Sequence, residues 1–303
     1  SIKKASAGST VTFDNKAWLC YPQYILDVLK SILFGIIEGI TEWLPISSTG
    51  HMILLEKICK FKEVSPNFFE MYLVVIQLGA IIAVVVMFWN KLWPFKKKQL
   101  ENGKSKVAVK PRIIELWFKV IIGSIPAGIL GIIFNDLLDK YLYNYVTVAI
   151  TLIIYGVLFI AVEIYNRKRR PKITKLTEVS FKNAFFIGCF QALSLIPGTS
   201  RSGSTILGGI MLGNSRRVAS EFTFFLAVPA MLGASLIKII KFGLGFTVTE
   251  FVILFVGMIT AFTVSLVVIR FLMNYIKNHT FTAFGIYRII LGAIVLITYF
   301  VTK

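Results

Sequence analysis

A chain of 303 residues that is 56% hydrophobic, only 16% charged and has a mean hydropathy of +0.76 is too apolar for an ordinary soluble domain. It reads as a membrane-integrated protein. The formal charge of +18 does not make nucleic acid its partner, because the basic residues cluster in runs between apolar segments and form no single soluble face. They read as a topology signal, with anionic membrane lipids as their neighbours. Three widely spaced cysteines (Cys20, Cys59, Cys189) and two histidines (His51, His279) offer no multi-histidine metal centre.

In chain order, residues 1–22 form a polar N-terminal tail without the charged-then-apolar pattern of a signal sequence. Residues 23–302 form a single integral membrane domain. Its first segment, about 24–60, is apolar but interrupted by the polar run Glu38-Gly-Ile-Thr-Glu-Trp-Leu-Pro-Ile-Ser-Ser-Thr-Gly-His51. Three stretches long enough to span follow, at 68–89, 113–134 and 145–165. A second interrupted segment, 183–213, carries Pro197-Gly-Thr-Ser-Arg-Ser-Gly-Ser-Thr205, and three more spans lie at 218–240, 250–273 and 284–301. A helix broken by such a run need not cross; it can dip into the membrane and return as a re-entrant hairpin, provided protein or water surrounds the break.

Loop charge orients these pieces. Residues 91–112 carry Lys91, Lys96, Lys97, Lys98, Lys104, Lys106, Lys110 and Arg112, and residues 166–182 are as basic. Residues 135–144 hold Asp136, Asp139 and a single Lys140. The positive-inside rule places the first two loops in the cytoplasm and the third outside. The first hairpin then opens outward and the second opens to the cytoplasm, which is an inverted repeat: about 24–165 and 183–302. The expected fold is therefore an all-α polytopic membrane protein with six transmembrane helices and two re-entrant helical hairpins, and such repeats build their site where the broken helices meet.

The polar runs carry the chemistry. Glu38 and Glu42, four apart, share one helix face. Among Ile36, Ile37, Ile40, Trp43 and Leu44 they are not a solvated surface pair; they can hold a divalent cation, or pair with Arg201. Ser47, Ser48 and Thr49 precede His51 across Gly50, so Ser48 and the imidazole can come within hydrogen-bond reach as an activated nucleophile. Gly198, Thr199, Ser200, Ser202 and Thr205 surround Arg201 at the start of a helix, an arrangement of amides, hydroxyls and a guanidinium that suits a phosphate. Glu70, Gln77 and Glu221 are candidates for support from neighbouring helices, whereas Gly35/Gly39 and Gly209/Gly213 read as packing positions.

Over about residues 24–302, Glu38 to His51 and Pro197 to Thr205 resemble the two signature regions of the bacterial undecaprenyl-diphosphate phosphatase (bacitracin-resistance) family. The resemblance implies an inner-membrane enzyme that hydrolyses undecaprenyl diphosphate to undecaprenyl phosphate and inorganic phosphate. That reaction recycles the lipid carrier for cell-wall synthesis and confers bacitracin resistance. The resemblance further implies a site facing the periplasm and a divalent cation, Mg or Ca, and it is compatible with a homodimer. Glu42, Ser48, His51 and Arg201 are then the catalytic residues, with Ser48 or a water as nucleophile, and Glu38 and Glu42 hold the metal. Ser47, Thr49, Gly198, Thr199, Ser200, Ser202 and Thr205 bind substrate. A transporter or lipid flippase for a phosphorylated prenyl lipid is the competing expectation.

Overall fold

A computed structural model describes residues 15–62, 64–99, 105–243 and 245–301 of the protein. Along these residues the chain forms α1 (Asn15–Thr41), α2 (Ser48–Ile58), α3 (Phe68–Val75), α4 (Gln77–Met87), α5 (Trp89–Leu92), β1 (Phe95–Gln99) and β2 (Ser105–Val109). There follow α6 (Pro111–Leu142), α7 (Tyr145–Asn166), α8 (Phe181–Leu193), α9 (Arg201–Met211), α10 (Arg216–Phe242), α11 (Val248–Tyr275) and α12 (Thr282–Val301). Of the tail read at 1–22, residues 1–14 lie outside the described residues and α1 already begins at Asn15.

Six helical segments among the described residues are long and apolar enough to cross a membrane: Phe68–Met87, Pro111–Phe134, Tyr145–Asn166, Arg216–Phe242, Val248–Tyr275 and Thr282–Val301. They coincide with the six stretches expected from hydropathy, and the protein is a multi-pass membrane protein. Two departures from the expected pattern are physical. The first span bends between α3 and α4 at Ile76, and α6 continues through the polar 135–142 segment before Asn144 caps α7 by accepting from Thr147 N–H at 2.9 Å.

The fold is not wholly α. The Lys-rich loop pairs β1 with β2 as an antiparallel hairpin, from Phe95 opposite Val109 to Gln99 opposite Ser105. Val109 pairs with Phe95 and Val107 with Lys97, a short alternation masked by the surrounding lysines.

Glycines let the helices approach to backbone contact. A Cβ on Gly79 of α4 would lie 2.0 Å from the Met258 carbonyl oxygen of α11, and one on Gly188 of α8 would lie 2.1 Å from the Gly123 oxygen of α6. Gly79→Val is expected to push α4 off α11. Its thermal midpoint in detergent should fall by an amount corresponding to at least about 1–3 kcal/mol of overpacking, while an exposed apolar swap such as Ile82→Leu leaves it unchanged.

An aromatic core lies beside the first break. Trp43 packs edge-on against Phe224 at 5.3 Å between ring centroids, within a core that includes Phe88, Leu92, Val218, Phe225 and Phe281. Beside it Glu163 of α7 binds Arg216 of α10 through Nε (2.8 Å) and Nη2, and also accepts the Phe281 N–H at 3.0 Å just before α12. Three helix ends are thereby tied through one carboxylate. Glu178, in the adjoining loop, accepts N–H bonds from Thr174 and Lys175, which hold its carboxyl below the usual carboxylate range.

Candidate active site

The two interrupted segments are built alike. α1 stops at Thr41, the chain turns through Glu42–Ser47, and α2 starts at Ser48; α8 stops at Leu193, turns, and α9 starts at Arg201. Ser47 and Ser200 cap the second helix of each segment, and their hydroxyls accept from Gly50 N–H (3.3 Å) and Gly203 N–H (3.1 Å). Both serines sit at positive φ, 75° and 69°, a conformation that non-glycine residues hold only where the surroundings impose it.

The breaks meet. Arg201 donates to Glu42 Oε1 from Nη2 (3.0 Å) and Nε (3.3 Å), and its Nη1 donates to the Thr223 carbonyl (2.9 Å). Ser48 Oγ donates to the other carboxylate oxygen, Glu42 Oε2, at 3.0 Å. One carboxylate thus joins the hydroxyl of the first break to the guanidinium of the second. They border a cavity of about 860 Å³ lined by Glu38, Ser48, Thr49, Gln77, Gln191 and Arg201 together with apolar Leu73, Leu195 and Ile237. Tyr143, Lys238 and Lys241 lie at its outer part, at the helix ends opposite the basic loops. Glu70 also lines it, 4.0 Å from Lys238, whereas Glu221 lies away from the cavity, paired with Lys91 (2.6 Å) and Arg217 (3.1 Å).

The expected contact between Ser48 and His51 is not made. His51 Nδ1 bonds the Ser47 carbonyl at 2.7 Å, and since a carbonyl only accepts, Nδ1 carries the hydrogen. Nε2 then accepts from the Tyr287 hydroxyl at 2.8 Å. His51 is occupied on both sides, and the hydrogen-bond partner of Ser48 Oγ is Glu42.

Several residues assigned to substrate also donate to backbone carbonyls in this structure. Thr199 Oγ1 donates to the Ile196 carbonyl (2.7 Å), Ser202 Oγ to the Leu44 carbonyl (3.3 Å), and Thr205 Oγ1 to the Arg201 carbonyl (2.9 Å). Broken helices expose carbonyls that lipid cannot satisfy, and nearby hydroxyls take them up. Gly198, at φ 89°, packs so closely that a Cβ would lie 2.2 Å from Thr151 Oγ1.

Arg288 was missed. It is fully buried on α12, and its Nη1 donates to Pro45 O (3.2 Å) while Nη2 donates to Gly198 O (2.8 Å) and Thr199 O (2.9 Å). It clamps the carbonyls of both breaks from behind. The signal was present: an arginine inside the apolar 284–301 stretch deserved the question asked of Arg201. Tyr287 beside it was missed for the same reason.

For a divalent cation the donor set is spare. Glu38 is 1% exposed and its Oε1 has no hydrogen-bond partner, but both oxygens of Glu42 are engaged. Among the described residues no group of three or more His, Cys, Asp or Glu side chains could hold a metal. The residues fit a hard cation held jointly with oxygens of a bound phosphate, which is how magnesium is commonly bound.

Carboxylate, hydroxyl and guanidinium joined across two helix breaks, inside a bundle of spanning helices, mark a multi-pass membrane protein with a buried polar site. The profile of the family described as Bacitracin resistance protein BacA matches residues 31–294, and the chain belongs to that family. It is 53% identical over 279 residues to an undecaprenyl-diphosphatase of Acetivibrio thermocellus, covering 92% of this chain and 100% of that one. It is 54% identical to an undecaprenyl-diphosphatase of Desulfitobacterium hafniense (90% of this chain, 96% of the other). For one of Enterococcus faecalis the identity is 55% (90% and 97%).

Proposed function

We propose that this protein is an undecaprenyl-diphosphate phosphatase, which hydrolyses the diphosphate of the prenyl carrier to the monophosphate and inorganic phosphate. Family membership and the names of the relatives support the activity. Removal of the diphosphate form, the target of bacitracin, accounts for resistance. The observation that carries the mechanism is the bond from Ser48 Oγ to Glu42, itself held by Arg201, beside a cavity with apolar walls.

In this reading the terminal phosphoryl group lies between Ser48 and Arg201. Glu42 takes the hydroxyl proton as Ser48 Oγ attacks phosphorus, and the bridging P–O bond breaks to release the prenyl monophosphate. As Glu42 becomes neutral it loosens its hold on Arg201, whose guanidinium then meets the charge on the phosphoryl oxygens. Water then attacks the phosphoserine and the Ser48 Oγ–P bond breaks. Glu42 returns its proton to the departing Ser48 Oγ, the protons of the attacking water stay on the released inorganic phosphate, and Glu42 is again a carboxylate. A divalent cation at Glu38, with Glu42 alongside, would supply charge neutralisation on the phosphate oxygens when bound. The prenyl tail leaves along the apolar wall.

The finer architecture belongs to the same reading. The two interrupted pairs are taken as re-entrant hairpins of an inverted repeat, supported by the matched Ser47 and Ser200 caps. Likewise α1 meets α11 at Gly35 and Gly257 as α8 meets α6 at Gly188 and Gly123. With the basic loops in the cytoplasm of a bacterial inner membrane, the cavity opens to the periplasmic side.

Purified protein given undecaprenyl diphosphate, with and without chelator, tests the function: free phosphate is expected, and chelation should suppress it. Lipid movement across liposomes without phosphate release would instead favour a flippase. Acid quench with labelled terminal phosphate should trap a phosphoserine at Ser48. Ser48→Ala should lower turnover at least about 10³-fold, and a Ser48→Ala variant that retains near-normal turnover would return the attack to water.

A further inference from the structure

We propose that Gln191 is a further substrate-contacting residue, whose side-chain amide receives a phosphate of the diphosphate; this rests on the hydrolase reading. Gln191 lies on α8, is 2% exposed, and has no hydrogen-bond partner at either Oε1 or Nε2. It lines the same cavity as Glu38, Ser48 and Arg201. A buried amide with both ends unpaired is destabilising unless something fills its bonds. An apolar residue of equal length would fit a purely structural position better. Near the breaks Thr199, Ser202, Thr205, Thr223 and the two Arg288 Nη atoms are bonded, while Trp43 Nε1, Ser204 Oγ and Arg288 Nε are also unpaired; of the unpaired side chains there, Gln191 and Glu38 are the ones that line the cavity.

Position and chemistry agree. Gln191 stands nine residues ahead of the cap Ser200, and Glu38 stands nine ahead of the cap Ser47. Both present a buried, unpartnered oxygen, and both line the cavity. In the first half the group is a carboxylate; in the second it is a neutral amide. A second carboxylate would repel a diphosphate, whereas Nε2–H donates to a phosphoryl oxygen and Oε1 accepts from a protonated one or from water. The cavity thereby offers the headgroup a neutral donor on the α8 side in addition to Arg201.

Two variants test this, Gln191→Met, which keeps length and removes polarity, and Gln191→Glu, which keeps shape and adds charge. Each is assayed for phosphate release from a short-chain prenyl diphosphate and for thermal unfolding with and without inorganic pyrophosphate. Without ligand, Gln191→Met should melt no lower than the unaltered protein, because it removes unpaired polar atoms. Its KM should rise about tenfold or more, and the stabilisation by pyrophosphate should largely vanish. Gln191→Glu should lose more on both readouts. KM values and pyrophosphate shifts within about twofold of the unaltered protein overturn the assignment, since a merely hydrated amide would give that result. If Gln191→Met fails to fold, Gln191→Glu decides on the same criteria. Should the unaltered protein release no phosphate, the hydrolase reading fails, and the pyrophosphate shift alone decides for Gln191. Neither hydrolysis nor a shift in the unaltered protein overturns both.

Discussion

Arg201→Ala is expected to reduce phosphate release about 10³-fold or more while leaving a folded protein. The guanidinium holds Glu42 Oε1 by two of its nitrogens and the Thr223 carbonyl by the third. Its loss removes the countercharge for the phosphoryl oxygens and the anchor that aims Glu42 at Ser48. Lysine is no substitute. A single ammonium cannot fork between carboxylate and carbonyl, so Arg201→Lys should remain at least about tenfold below the unaltered protein. Initial rates of phosphate release, with thermal midpoints as the folding control, decide the matter. Near-normal rates in a folded Arg201→Ala protein would remove Arg201 from the chemistry.

Arg288→Met should be costly in a different way. Met fills much of the same space but leaves Pro45 O, Gly198 O and Thr199 O without a shared donor. Orphaning buried acceptors costs about 1–3 kcal/mol each, so a loss of about 3 kcal/mol or more in stability is expected. Turnover should fall about 10²-fold or more although Arg288 lines no part of the cavity, because small displacements of reacting groups cost that much. Hydrogen exchange should speed up in residues 44–51 and 197–205 together. Acceleration confined to one of the two segments would deny the clamp.

The spans were legible because lipid demands about twenty apolar residues in a row, a constraint that leaves little room for alternatives. The two breaks were legible for the opposite reason: Glu42, Ser48 and Arg201 are too polar for that setting unless they meet. Side-chain direction was not legible. His51 was linked to Ser48 by proximity in sequence, yet on α2 its Nδ1 reaches back to the Ser47 carbonyl, four residues away, as helix geometry allows. The carbonyl bonds of Thr199, Ser202 and Thr205 were not legible either, because they depend on where the broken backbone places its acceptors. The β1–β2 hairpin was hidden because lysine density speaks of topology and says nothing of strand pairing.

Trp43 stacks edge-on against Phe224 behind the site, and Glu163 with Arg216 ties helix ends of the same core. The Arg201 guanidinium stands over the Trp43 ring, 5.7 Å from its centroid, so the group that faces the cavity leans on this aromatic packing. Lys238 and Lys241 line the same cavity as Arg201. On the hydrolase reading, released phosphate and the next headgroup want the same guanidinium, so free phosphate should act as a product inhibitor competitive with the lipid.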